Sequence, residues 1–283
     1  MTNQNHARLA ARALPDRLSD SDLKAFQSTA LELSGIKLDD SKRSMIYTRF
    51  LRRLRTLGMS DFKEYLEYAA QPESGERQDF INTITTNLTY FFREAHHFEY
   101  LSETALPTLL KSRTTTEPLR VWSAGCSSGE EPYSIAMTLQ AAGLVGERDY
   151  RLLCTDIDTD MVRKTRAGAF RTDGIRGLNK SQLRRWLKDT DGVASVHPSL
   201  RKGMICRALN LFDHWPLRAG VDVIFCRNVL IYFKRPDQER VIRGFAEMQT
   251  PGCYLFLGHS ESIRGLENVY TRVGNTVFKR KST

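Results

Sequence analysis

The amino-acid sequence predicts an α/β protein in which an all-α N-terminal domain precedes a doubly wound parallel sheet. Up to about residue 85, apolar residues recur only at helical spacing, whereas short β-branched and aromatic runs alternate with helical stretches from residue 118 onward. Continuous apolar strands separated by helices are typical of a parallel sheet covered on both faces. Between about residues 172 and 208 this alternation is lost, which predicts a small antiparallel β-subdomain inserted into the sheet domain.

The N-terminal domain is expected to span residues 19–85, after a flexible tail of residues 1–18. Its four helices are expected to begin near residues 20, 41, 61 and 76, and serine or aspartate stands at the start of the first three. Gly35 and Gly58 end the first two helices. The remaining boundaries are a linker with a connecting helix at 86–117 and the sheet domain at 118–283.

In the sheet domain, four apolar runs predict strands: "LRVWSA", "YRLLCTDID", "VDVIFCRNVLIYF" and "GCYLFLGHSE". Helical patterns follow the first three of these runs, at about 129–143, 158–167 and 236–249. The terminal "YTRVGNTVFKR" has an Asn/Gly turn between two strand-like pieces, which predicts a closing hairpin.

The composition favours a cytoplasmic protein. The five cysteines are odd in number, scattered and never spaced as C-x-x-C, so we expect reduced thiols, several of them in the core. The N-terminal residues lack the apolar core of a signal peptide. No apolar run approaches the ~18 residues that a membrane-spanning helix needs, so we expect no direct membrane insertion.

Basic residues crowd the predicted helix at 41–57 of a chain whose formal net charge is +9. One interpretation is a solvated helix face, and the other is a docking surface for an acidic partner. Nucleic acid is a less favoured partner, because the basic face lacks interleaved aromatic residues and no RNA-binding motif is recognised. The candidate docking residues are Lys42, Arg49, Arg52, Arg53 and Arg55.

The stretch "VWSAGCSSGEEPYS" (121–134) reads as a strand, a glycine turn and the start of a helix, and the next strand ends in Asp156. This order is typical of sites for nucleotide-derived cofactors. The turn lacks both the G-x-G-x-x-G pattern and a phosphate-binding lysine, and Glu130 and Glu131 would repel a phosphate. A cationic nucleoside without phosphate, S-adenosylmethionine, fits better. The alternative is that both glutamates merely favour the helix dipole.

Two further segments place polar residues in apolar surroundings. "NTITTNLTYFFREAHHF" (82–98) precedes the sheet domain, and "FCRNVLIYF" (225–233) ends an apolar strand, where open α/β sheets hold their ligands. The alternatives are a capped interdomain turn and a core tyrosine with a satisfied hydroxyl. The polar residues are Asn87, Thr89, Arg93, Arg227, Asn228 and Tyr232.

Taken together, "TTNLTYFFRE", "GEEPYSIA", "TDID" and "FCRNVLIYF", in this order after the arginine-rich "KRSMIYTRFLRRLR", resemble CheR-type chemotaxis receptor methyltransferases. The resemblance runs from about residue 20 to the end. It implies a Rossmann-like sheet that uses S-adenosylmethionine to methylate glutamate side chains of chemoreceptor (methyl-accepting chemotaxis protein) cytoplasmic helices. The products are glutamyl methyl esters and S-adenosylhomocysteine.

The resemblance also implies roles for single residues. Arg93 and Tyr232 would be catalytic and lie nearest the transferred methyl group. We expect no metal site, because the adjacent His96 and His97 should point in different directions from one helix. The implied cofactor-binding residues are Asn87, Thr89, Arg93, Glu131, Asp156, Asn210, Leu211, Arg227 and Asn228.

The partners implied by the resemblance are glutamate-rich helices of chemoreceptor cytoplasmic domains, which the basic helix would meet at receptor arrays on the inner membrane. Whether the inserted β-subdomain also binds a receptor C-terminal peptide is left open by the sequence. We expect a monomer that does not bind nucleic acid. The competing hypotheses are a nucleic-acid methyltransferase, although the N-P-P-Y signature is absent, and an adaptor that binds the cofactor without catalysis.

Overall fold

A computed structural model describes residues 14–112, 117–146 and 149–282. The chain divides into two compact units, Met1–Thr85 and Thr86–Thr283. Within the described ranges, no helix is both long enough and apolar enough to cross a membrane.

The N-terminal unit is all-α. Its helices are α1 (Asp20–Ser34), α2 (Arg43–Leu57), α3 (Phe62–Ala70) and α4 (Glu76–Ile84), with 3-10 turns at Asp40–Lys42 and Pro72–Ser74. Ser19 forms a capping box at the start of α1, and Gly35 ends that helix in the left-handed conformation at φ 75°. The core is aromatic: the Phe50 ring lies 4.5 Å from that of Phe26 and 5.3 Å from those of Tyr65 and Phe80.

The larger unit alternates strands and helices. In chain order its elements are α5 (His96–Tyr100), a π-helical turn Leu101–Ala105, α6 (Leu106–Ser112), β1 (Leu119–Ala124), α7 (Glu130–Ala141), β2 (Tyr150–Asp156), α8 (Thr159–Ala167), β3 (Ala169–Arg171), α9 (Lys180–Trp186), β4 (Leu187–Thr190), β5 (Val193–Val196), α10 (Pro198–Arg201), β6 (Met204–Ala208), β7 (Val223–Cys226), α11 (Arg235–Met248), β8 (Tyr254–Leu257), β9 (Tyr270–Gly274) and β10 (Val277–Arg280).

Seven strands form one sheet in the order β6-β2-β1-β7-β8-β10-β9. The first five are parallel, and β10 runs antiparallel to both of its neighbours, which confirms the predicted closing hairpin. Because β1 lies between β2 and β7, the carboxyl ends of these three strands meet at one edge of the sheet. The strand order changes direction there, so this edge is where a ligand crevice is expected. The doubly wound sheet confirms the predicted fold class.

A second sheet of three antiparallel strands, in the order β3-β5-β4, confirms the predicted small subdomain. Its bounds differ from the expected 172–208, because β3 begins at Ala169 and β6 belongs to the large sheet, where Cys206 faces Cys154 of β2. The sequence did not indicate this strand because β6 is an edge strand. Only Cys206 of its five residues is buried, so no continuous apolar run marks it.

Candidate functional site

The turn between β1 and α7 requires its glycines. Gly125 and Gly129 adopt φ of 102° and 108°, and Ser127 between them is also left-handed at φ 49°. A Cβ atom on Gly125 would lie 2.3 Å from Cγ2 of Val229, in the loop that follows β7. The small residues therefore let the turn pack against that loop.

Asp156 ends β2 beside this turn. Its carboxylate accepts hydrogen bonds from the backbone N–H groups of Ser127, at 2.8 Å, and Asp158, at 2.9 Å. Burial raises the pKa of Asp156 to about 6, although the two backbone donors oppose the rise. An acid at the end of the second strand is where nucleotide-binding sheets hold ribose hydroxyls.

The segment after α4 reaches the same turn. Asn87 donates a hydrogen bond from Nδ2 to Oδ2 of Asp158 at 2.8 Å, and its carbonyl oxygen accepts one from Ser127 Oγ at 3.4 Å. Thr89 is half-buried, and Arg93 donates from Nη1 to the Leu88 carbonyl at 2.8 Å. The contacts of Asn87 place the start of this segment at the carboxyl edge of the sheet, and the roles of Thr89 and Arg93 stay predictions.

Asn210 and Leu211 follow β6 at that edge. The backbone N–H of Leu209 donates to the Asp156 carbonyl at 3.0 Å, which ties this segment to the end of β2. The Asn210 side chain accepts from the Phe212 N–H at 3.0 Å, and Leu211 is 9% exposed. The segment therefore lies beside Asp156, as the resemblance implies.

Arg227 and Glu131 form a buried ion pair, with 3.2 Å between Arg227 Nη1 and Glu131 Oε2. Arg227 Nη2 also donates to the Arg93 carbonyl and lies 3.5 Å from Oε2 of Glu94. Burial raises the pKa of Glu131, although Arg227 and a hydrogen bond from Ser123 Oγ at 2.7 Å oppose the rise. Both side chains are engaged within the protein, so their direct contact with a cofactor stays a prediction.

The two adjacent histidines do not point apart, so that expectation is wrong. The His96 and His97 rings lie 4.2 Å apart, and one ligand-type atom from each lies within 4.8 Å of a Glu94 carboxylate oxygen. Burial lowers the pKa of His97 to about 3, so this ring is neutral near pH 7. The Arg227 guanidinium beside Glu94 opposes a second cation there, and the expected absence of a metal site stays a prediction.

Asn228 and Tyr232 lie in the loop after β7. Asn228 is left-handed at φ 59°, and a 3-10 turn at Leu230–Tyr232 follows it. Burial raises the pKa of the half-buried Tyr232, and the nearby charge of Arg93 opposes the rise. The Tyr232 N–H donates to the Val229 carbonyl at 3.2 Å, and Arg227, at the start of the same loop, donates to the Arg93 carbonyl. The segments of the two predicted catalytic residues therefore meet at this loop, and contact between their side chains stays a prediction.

Glu261 is a residue of this site that the sequence patterns did not single out. It is 7% exposed, and its carboxylate accepts four backbone hydrogen bonds, from Gly258, Asn228, Val229 and Leu230, at 2.6 to 3.0 Å. An acid directly after an apolar strand, in "GHSE", is the signal that marks it.

Two residues of the basic helix are engaged in hydrogen bonds within the N-terminal unit, and their role in docking stays a prediction. Arg53 donates from Nε to Glu76 at 2.5 Å, and its Nη2 bonds both Glu76 and Asp79. Arg49 donates from Nη1 to two backbone carbonyls, at residues 83 and 85, at 2.8 and 2.5 Å. Both side chains therefore join α2 to the end regions of α4.

The other three basic side chains differ from this pair. Arg52 and Arg55 are exposed, and their spacing of three residues puts them on one face of α2. Lys42, which precedes the helix, is half-buried. The part of the predicted docking surface that faces solvent is therefore Arg52 with Arg55.

Two family models match the chain. The model described as "CheR methyltransferase, all-alpha domain" matches residues 21–85, and "CheR methyltransferase, SAM binding domain" matches residues 87–279. The chain is 40% identical over 267 residues to a chemotaxis protein methyltransferase of Escherichia coli K12, covering 92% of this chain and 91% of that protein. It is 42% identical over 276 residues to a protein of the same description from Klebsiella aerogenes, covering 95% and 91%.

Among solved structures, the chain is similar to an N-methyltransferase, NodS, from Bradyrhizobium japonicum in complex with S-adenosyl-L-homocysteine. The identity is 14%, the TM-score is 0.41, and the match covers 91% of this chain and 99% of that one. The family models span nearly all of both units. The chain therefore belongs to the CheR methyltransferase family, whose cofactor is S-adenosylmethionine.

Proposed function

We propose that this methyltransferase transfers the methyl group of S-adenosylmethionine to glutamate side chains on the cytoplasmic helices of chemoreceptors. The products would be a glutamyl methyl ester and S-adenosylhomocysteine. The observation that carries the proposal is that the loop after β7 contacts both the glycine turn and the segment of Arg93. Val229 lies against Gly125 and its carbonyl accepts the Tyr232 N–H, while Arg227 donates to the Arg93 carbonyl. The names of the E. coli and K. aerogenes relatives support the chemotaxis role.

The residues at the carboxyl edge of the sheet fit this cofactor. The turn bends through left-handed glycines and contains no lysine, while Asp156, Asp158 and Glu131 make its surroundings acidic. A cationic nucleoside is favoured there, and a phosphate is not. Asp156 and Asn87 would hold the nucleoside. When bound, the cofactor supplies an activated methyl group on sulfur.

The glutamate that accepts the methyl group requires little from the protein beyond alignment with that group. A glutamate carboxylate has an unperturbed pKa of ~4.3 and is already ionised near neutral pH, so no general base is required. Arg93 uses one N–H for the Leu88 carbonyl, and a guanidinium has five, so others can bind the incoming carboxylate. The Tyr232 hydroxyl would orient the same group. Holding the reacting atoms in line is worth about 7–11 kcal/mol of the barrier.

The test combines binding with transfer. S-adenosylhomocysteine at about 100 times its Kd should stabilise the parent protein by about 2.7 kcal/mol, seen as a higher melting temperature. Arg93→Ala should reduce transfer of labelled methyl groups to receptor membranes by about 100-fold or more while the melting temperature stays near that of the parent. Arg163→Ala, which removes an exposed arginine on α8, is the matched control.

Equal transfer by the parent and the folded Arg93→Ala variant would remove Arg93 from the mechanism. Methylation of RNA or DNA, with receptor membranes inert, would instead support the nucleic-acid alternative. Binding of S-adenosylhomocysteine without any methyl transfer would support an adaptor.

We further propose that Arg52 and Arg55 attract the acidic receptor helices and bring the cytoplasmic enzyme to receptor arrays. Both side chains are exposed, and charge complementarity of this kind mainly raises association rates and depends on salt.

The edge strand β4 of the small sheet suits addition of an extended peptide, such as a receptor C-terminus. Calorimetric titration with that peptide tests peptide binding at β4 independently of the role of Arg52 and Arg55.

A further inference from the structure

The loop after β7 surrounds a buried carboxylate. Glu261, in the segment after β8, accepts N–H groups from Asn228 at 3.0 Å, Val229 at 2.8 Å and Leu230 at 2.7 Å, and from Gly258 at 2.6 Å. We propose that Glu261 is a positioning residue for methyl transfer, because its carboxylate holds the loop that presents Asn228 and Tyr232. The inference rests on the proposed function of Arg93 and Tyr232.

The conformation of the loop explains why an anion is needed there. Asn228 is left-handed at φ 59°, a conformation that asparagine adopts more readily than most other residues with a side chain. It also turns three successive N–H groups toward one point, as in the backbone nests that bind anions. Each N–H left buried without an acceptor would cost about 1–3 kcal/mol. The carboxylate of Glu261 therefore stabilises a loop shape that the chain would otherwise leave.

The same loop connects Glu261 to the reacting groups. Val229, one of the three donors, packs on the glycine turn at Gly125. Its carbonyl accepts the Tyr232 N–H at 3.2 Å, which closes the turn that carries the tyrosine. A shift of the loop would therefore move the Tyr232 hydroxyl and the wall of the glycine turn together. Misplacement by about 1 Å can reduce a rate by about 100-fold.

Gly258, the residue after β8, lies close to this loop, so a substitution at Gly258 tests the contact between the loop and Glu261. A Cβ atom on Gly258 would lie 2.6 Å from Nδ2 of Asn228, 2.8 Å from the Asn228 backbone nitrogen and 2.9 Å from Oε2 of Glu261. Gly258→Ala therefore separates the loop from the carboxylate without removing the charge. By contrast, a Cβ on Gly174 meets no atom within 4 Å, so Gly174→Ala is its matched control.

The first experiment replaces one oxygen. One Glu261 oxygen accepts the N–H groups of Val229 and Leu230, and the other accepts those of Asn228 and Gly258. In Glu261→Gln one of these oxygens becomes an NH₂ group, which cannot accept. In either orientation of the amide, two N–H donors therefore lose their acceptor. We expect kcat for methyl transfer to receptor membranes to fall by about tenfold or more. The matched control is Glu267→Gln, an exposed carboxylate in the same segment that accepts the Gly265 N–H at 3.0 Å.

A double-mutant cycle separates positioning from general destabilisation. If Glu261 acts in part through the tyrosine, Glu261→Gln should reduce kcat by a smaller factor when Tyr232 is already Phe, because part of its effect is then already lost. Equal reductions in both backgrounds, or a folded Glu261→Gln variant with parental kcat, would overturn the proposal. Should Glu261→Gln fail to fold by circular dichroism, Gly258→Ala enters the same cycle with the same two outcomes.

The binding readout keeps this inference distinct from the proposed function. If the parent neither binds S-adenosylhomocysteine in calorimetry nor methylates receptor membranes, the proposed function fails, and the positioning role fails with it. If the parent does both and the cycle is additive, only the role of Glu261 is refuted.

Discussion

Loss of Arg53 should destabilise the N-terminal helices. Glu76 is 3% exposed, and its carboxylate accepts two hydrogen bonds from Arg53 and one from the Tyr65 hydroxyl at 2.9 Å. Arg53→Ala leaves a buried carboxylate with a single hydroxyl donor. Breaking a buried pair in this way costs about 3–5 kcal/mol, and we expect the lower end because the Arg53 side chain is 23% exposed.

Urea denaturation measures this loss. With a slope of about 1–3 kcal/mol per molar urea, a loss of about 3 kcal/mol lowers the midpoint by about 1 M or more. All three tryptophans, Trp122, Trp186 and Trp215, lie in the larger unit, so tryptophan fluorescence reports that unit. Far-ultraviolet circular dichroism also reports the N-terminal helices. The shift should therefore be larger in circular dichroism than in fluorescence.

The matched control is Arg52→Ala, an exposed residue on the same helix, which should change stability by less than about 0.5 kcal/mol. A midpoint for Arg53→Ala as high as that of Arg52→Ala would refute the role of the pair with Glu76. The double variant Arg53→Met with Glu76→Gln should recover part of the loss, because it leaves no charge buried and the amide oxygen can still accept the Tyr65 hydroxyl. Receptor methylation lost in Arg53 variants would then reflect unfolding.

Three further predictions follow from the site and the basic helix. Because burial raises the pKa of Asp156 from the ordinary 3.8 to about 6, the native state binds this proton more tightly than the unfolded state. The stability it contributes is present below pH 4 and is lost as the pH rises through 6. Between pH 4 and 7 the parent should lose about 2.4 kcal/mol relative to Asp156→Asn in urea denaturation, and parallel pH profiles would contradict this. Gly125→Ala, whose Cβ would lie 2.3 Å from Val229, should destabilise the fold by about 1–3 kcal/mol and weaken S-adenosylhomocysteine binding in calorimetry; parental affinity would refute the packing argument. Arg52→Glu with Arg55→Glu should slow receptor methylation most at low salt and leave cofactor affinity unchanged, whereas a salt-independent loss would exclude electrostatic steering.

Local patterns sufficed for much of the fold. The capping box at Ser19, the glycine ends of α1 and α2, the glycine turn before α7 and the terminal hairpin were all readable, because each depends on residues a few positions apart. Edge strand β6 was not recognised as part of the large sheet, because an edge strand with one buried residue carries no apolar run.

The sequence by itself determined most of the helices and the buried strands, the acidic glycine turn without lysine, and the clusters of polar residues at strand ends. Only the tertiary structure decided which charges are available. It pairs Arg53 with Glu76, 23 positions away, and Arg227 with Glu131, 96 positions away, and it closes the loop at Asn228 around Glu261. The physical reason is that helix caps and strand periods arise from neighbouring residues, whereas a buried charge takes its partner from whatever segment the packed core brings beside it.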